Sequence, residues 1–133
     1  MTTKWISVRY VMSTLILITF THITQAATSD ELLKKYEALS GKASPSRGES
    51  FFTTKHGKEW SCSSCHDKVP NHDTHHIVTN KLITPLSPNF NAERFTNERK
   101  VEKWFRRNCN DVLGRECSAQ EKADLISWLL TVR

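Results

Sequence analysis

Cys62-Ser63-Ser64-Cys65-His66 is the stretch on which the reading of this chain turns. Its C-x-x-C-H spacing is that of c-type haem attachment: two thiols add to the haem vinyl groups, and the adjacent imidazole is placed under the iron. Zinc would need further ligands at matched spacing, and the two remaining cysteines, Cys109 and Cys117, form no second C-x-x-C. A thioredoxin-like redox pair would need a βαβ pattern, which is absent. The motif therefore points to one covalent haem c on Cys62 and Cys65, with His66 as proximal iron ligand.

Upstream, Lys4 and Arg9 form a basic start, Tyr10 to Phe20 is an apolar run, and Thr24-Gln25-Ala26 offers small residues for cleavage. This is the pattern of a secretory signal peptide, with cleavage expected after Ala26. The run is about half the roughly 20 residues of a membrane-spanning helix, although an uncleaved anchor is the competing reading. The expected organisation is a signal peptide at 1–26 and a single soluble, periplasmic monohaem domain at 27–133. All four cysteines fall in that domain, and in an oxidising compartment none should stay free.

The formal net charge is +5, and losing Lys4 and Arg9 lowers it to +3. Two haem propionates would lower it further. With export, this argues against a nucleic-acid partner.

The mature chain reads as helices separated by polar loops, so an all-α fold is expected. Ser29-Asp30-Glu31 is a start signal for a helix over 29–40, with Leu32, Leu33, Tyr36 and Leu39 on one face. Ser46 to Phe52 reads as a short second helix that delivers Phe51 and Phe52 toward the core. From His56 to Pro88 the prolines, Gly57 and the lack of a 3.6-residue period predict mostly loop, organised by the haem itself. Thr96 can cap a third helix in which Val101, Trp104, Phe105 and Asn108 share a face. Ser118-Ala119-Gln120-Glu121 is a capping box for a fourth, with Leu125, Ile126, Leu129 and Leu130 as its apolar stripe.

The residue on the other side of the iron decides the function. Small electron-carrying cytochromes c commonly use methionine there, but the two methionines, Met1 and Met12, both lie in the signal peptide. His56, His72, His75 and His76 keep a bis-histidine haem in play. The cluster His72-Asp73-Thr74-His75-His76 also reads simply as a solvated polar loop.

The blocks Arg94-Phe95-Thr96, Val101 to Cys109, Leu113-Gly114-Arg115-Glu116-Cys117 and Glu121 to Leu125, together with Ile83 to Pro88, resemble the SHP family of oxygen-binding cytochromes c. Trp-x-x-x-Asn-Cys followed by Gly-Arg-x-Cys makes the likeness specific, and it covers most of residues 29–130. The resemblance implies a small class I cytochrome c-like helical domain wrapped around one covalent haem. It also implies His66 and Asn108 as iron ligands and a disulfide between Cys109 and Cys117. Trp104, one helical turn before Asn108, becomes a candidate wall of the distal pocket, against ordinary core packing. The implied partners are a dihaem cytochrome c and a membrane cytochrome b, with oxygen or another diatomic as ligand. An asparagine amide oxygen is a neutral, hard donor that suits ferric iron better than ferrous, so reduction should loosen it. The chain departs from the family in its histidine-rich stretch and at Asn80, where a glycine is expected.

Two other classes compete with an electron-transfer and diatomic-binding protein. A small haem enzyme, a peroxidase or an oxygen or nitric oxide reductase, would need a proton donor, for which His75 or His76 would have to fold over the haem. A metal-binding or gas-sensing module would use the histidine loop, but the sequence contains no output domain.

Overall fold

The computed structural model describes residues 28–133, so the signal-peptide assignment lies outside the described residues. The order of elements is α1 (Ser29–Ser40), α2 (Pro45–Thr53), α3 (Ser63–His66), β1 (Thr74–His75), β2 (Leu82–Ile83), α4 (Glu98–Leu113) and α5 (Ala119–Leu129). Helices dominate, as the all-α reading requires. The sole departure among the described residues is a two-stranded antiparallel ladder in which Thr74 pairs Ile83 and His75 pairs Leu82.

The helix starts follow side-chain capping. Thr28 accepts from the Glu31 amide while Glu31 reaches back to the Thr28 amide, so the capping box begins one residue before the expected Ser29. Ser44 caps α2, with Pro45 at its first position, where a missing N–H costs no bond. At α4 the cap is Asn97, not Thr96, because the Asn97 side chain accepts from Lys100 N–H whereas the Thr96 hydroxyl turns back to Glu93. Ser118 and Glu121 form the expected box at α5.

α5 is the hub, with α1 and α2 packed against it. Its residues Ala123 to Leu129 are buried without a break, so Trp128 joins the expected leucine stripe. One cluster gathers Phe52, Leu125, Trp128, Leu129 and Val132, and a second gathers Leu32, Tyr36, Ala123 and Ile126. Two of the expected apolar contacts are absent. Leu39 at the last turn of α1 is 69% exposed, and Phe51 stacks on His56 at 4.7 Å while Phe52 alone enters the core.

Two acids, Asp124 buried and Glu102 partly exposed, tie the helices together. Asp124 takes a fork from Arg47 at 2.8 and 2.7 Å, the Ser44 amide at 2.7 Å and the Gln120 amide at 3.0 Å. Burial opposes its charge, but these donors hold its carboxyl below the ordinary range. Glu102 of α4 accepts from Tyr36 Oη and Lys122 Nζ, each at 2.8 Å, and pairs with Lys35. Against burial, the Lys122 and Tyr36 bonds pull its carboxyl down to about 2.

Candidate haem site

Cys62, Cys65 and His66 stand on a single helical turn. The amides of Cys65 and His66 both donate to the Cys62 carbonyl, at 3.3 and 3.2 Å, so the three functional side chains occupy i, i+3 and i+4 and share a face. Ser61 pins the turn from below, its hydroxyl 2.7 Å from that of Ser63 and 3.2 Å from that of Ser64. Asp67, at φ +57°, stops the helix directly after the histidine. Cys62 packs on the cluster of Phe52 and Trp128, and the Phe52 ring lies 6.1 Å from the His66 ring.

Both thiols are free and only partly exposed. Burial pushes the Cys62 thiol up to about 11. It pulls His66 down to about 4, with the charges of Arg94 and His76 adding to the effect, so the imidazole is neutral with a lone pair to donate.

The donor set and its surroundings fit a covalent haem. Two thiols and a neutral imidazole sit on one face, and several large apolar side chains downstream of the motif are exposed, although Leu39 on α1 is more exposed than any of them. Val69, Ile77 and Val78 lie in the loop after the motif, Leu82 is in β2 and Trp104 is on α4. Haem would be held by Cys62, Cys65 and His66.

On α4 the expected common face splits in two. Val101 and Phe105 pack into the core, with Cys109 and Val112 buried beyond them, whereas Trp104 at 41% exposure and Asn108 point outward. Trp104 is therefore not a core residue here. Its ring lies beneath Lys103 at 6.0 Å and Arg107 at 5.6 Å. The helix continues past Asn108 to Leu113 and ends at Gly114, whose φ of +76° suits a left-handed cap. Cys109 and Cys117 are joined in a buried disulfide with Cα atoms 5.6 Å apart, fastening the last turns of α4 to the start of α5.

The histidine-rich stretch closes on itself. His76 Nδ1 accepts from the amides of Val78 and Thr79 at 3.2 Å, and His72 bridges Asn71 and Asp67. Its loop needs a left-handed residue at Asn80, φ +54°, a conformation that asparagine tolerates better than most residues. No cluster of three metal-ligating side chains occurs among the described residues. His56 hydrogen-bonds the Phe51 carbonyl at 2.7 Å. Arg94, quoted in the sequence only as part of a block, is a residue near His66 to which sequence reasoning assigned no role.

A family described as a domain of unknown function (DUF1924) matches residues 38–129. Cytochrome c'' of Methylophilus methylotrophus is 39% identical over 120 residues, covering 82% of this chain and 83% of that protein. The cytochrome c-type protein SHP of Cereibacter sphaeroides is 43% identical over 106 residues, covering 74% and 80%. Among solved structures, oxidized SHP, an oxygen-binding cytochrome c, superposes with a TM-score of 0.72 at 38% identity, over 78% of this chain and 96% of that one. The crystal structure of oxidized cytochrome c'' gives 0.71 at 40% identity, over 79% and 94%. With this fold, these relatives and the two free thiols beside His66, the chain belongs to the SHP family of c-type cytochromes, electron-transfer proteins that carry covalently bound haem c.

Proposed function

We propose that the mature chain is a periplasmic monohaem cytochrome that transfers electrons and binds oxygen or another diatomic when reduced, with Asn108 as the distal ligand of the ferric iron. The observation that carries this reading is the placement of Trp104 and Asn108. They stand one turn apart on α4, turned away from the protein core, on a helix whose far end is locked by the Cys109–Cys117 bond. The mature sequence contains no methionine to take that role.

Haem supplies a one-electron couple and a coordination position that a diatomic can enter. The chain supplies the rest. His66, kept neutral by burial, is a permanent donor from the proximal turn. The amide oxygen of Asn108 would be a weak, hard donor suited to ferric iron, and with haem bound its loosening on reduction would leave room for a small ligand beside Trp104. The Cys109–Cys117 disulfide would limit how far the α4 terminus moves and so keep Asn108 within reach of the iron. Haem-ligand detachment is the subject of the solution structure of cytochrome c'', and oxygen binding is ascribed to SHP, which makes both properties reasonable for a relative about 40% identical. As redox partners we propose a dihaem cytochrome c and a membrane cytochrome b, meeting this domain through weak, transient contacts.

The test is the rate at which azide binds the ferric protein. In the wild type azide must displace Asn108 and binds slowly; in Asn108→Ala it enters at least tenfold faster. Equal rates would show that Asn108 is not the ligand.

A further inference from the structure

Arg94 is a half-buried cation with no carboxylate partner among the described residues. Its Nε donates to the Pro85 carbonyl at 2.6 Å, and its Nη2 donates to the Thr84 carbonyl and hydroxyl at 2.6 and 2.9 Å. All three acceptors are neutral, and none of the ion pairs among the described residues includes Arg94. Burial lowers its pKa, but a guanidinium stays charged at any physiological pH.

Its neighbours place it beside the haem-binding turn. Phe95, the next residue, and Leu86, which follows the Pro85 it grips, both pack on the cluster that also receives Cys62, and the Phe52 of that cluster adjoins His66. Phe95 is held at φ +63°, a conformation few bulky residues adopt, so the backbone at this point is fixed by its surroundings.

We propose that Arg94 is a positioning residue for electron transfer: it clamps Thr84 and Pro85, and by that clamp fixes beside the haem-binding turn a positive charge that no protein carboxylate among the described residues neutralises, which favours the reduced state. The inference rests on the haem c reading and not on Asn108 being the ligand. Reduction brings in one electron from a redox partner, and no bond is made or broken at Arg94. A fixed cation near the electron stabilises the product of that step, and more strongly where burial limits screening. Charges and hydrogen bonds around the iron ligands are among the means by which a protein sets a haem potential.

The experiment is potentiometric titration of the purified holoprotein, read from the haem absorbance. Arg94→Gln should lower the ferrous to ferric ratio at a fixed ambient potential about tenfold, a shift of about 59 mV for a one-electron couple. Arg94→Lys, which keeps the charge, should stay near the wild type. Repeating Arg94→Gln in an Asn108→Ala background should give the same decrement whether or not Asn108 ligates the iron, so the two readings fail separately. An unchanged potential in Arg94→Gln overturns the proposal. So does an Arg94→Lys protein that falls as far as Arg94→Gln, since the clamp and not the charge would then be at work. If Arg94→Gln does not yield a folded haem protein, Thr84→Glu sets a carboxylate against the guanidinium. That variant should lower the potential too, and an unchanged value would overturn the proposal.

Discussion

Gly48 of α2 lies so close to Asp124 of α5 that a Cβ on it would stand 2.1 Å from the Asp124 carbonyl oxygen and 2.9 Å from Trp128 Cβ. This close approach lets Arg47, one residue earlier, fork onto the Asp124 carboxylate. Gly48→Ala must push the two helices apart, and overpacking of a rigid backbone contact destabilises by about 2 to 3 kcal/mol. Urea unfolding of the holoprotein should show that loss, whereas Gly57→Ala, with only a 3.6 Å neighbour, should change stability far less.

The Glu102 network sets an acid limit. Its carboxyl is held near 2 in the folded chain against an ordinary value of about 4.5, so its contribution is complete above the ordinary value and disappears as pH falls through the folded one. Glu102→Gln should lose about 1 kcal/mol at neutral pH, a modest figure because the side chain is partly exposed and screened. Between pH about 4.5 and 2 its stability should fall less steeply than that of the wild type, which thermal melts across that range can measure.

Thiol counting tests how the four cysteines are used. With haem attached, alkylation under denaturing, non-reducing conditions should label none, and reduction should release two, at Cys109 and Cys117. Cys109→Ala with Cys117→Ala should cost about 2.5 kcal/mol on the chain-entropy account of so short a loop. Labelling of either residue before reduction would contradict the pairing seen in the structure.

Much of the fold was legible because it rests on local rules. The capping box at Ser118 and the apolar period after it announce α5, and the breakers between His56 and Pro88 announce a long irregular segment. The first helix keeps its expected bounds of 29–40, whereas the start of α4 lies one residue later than expected because Asn97 caps it in place of Thr96. The Thr74–Ile83 ladder was hidden because two-residue strands leave no alternating pattern, and the turn at Asn80 replaces glycine with the residue that best imitates it. In the candidate site, Cys62, Cys65 and His66 announce themselves by spacing. The split of α4 into a core face and an outward Trp104–Asn108 edge depends on which partners the helix meets, and periodicity cannot supply that. Arg94 was invisible for a related reason: its role comes from carbonyls nine and ten residues away, and no motif marks backbone acceptors.

What reduction does to the distal side of the iron decides whether Asn108 gates the haem, and resonance Raman spectra of the dithionite-reduced wild type report it directly through the haem spin-state and coordination markers. Release of Asn108 predicts a five-coordinate, high-spin ferrous protein that takes up carbon monoxide rapidly, with spectra unchanged by His56→Ala or His75→Ala. A six-coordinate, low-spin ferrous protein that turns high-spin only when one of those histidines is replaced would contradict it, and would leave a bis-histidine electron carrier in its place.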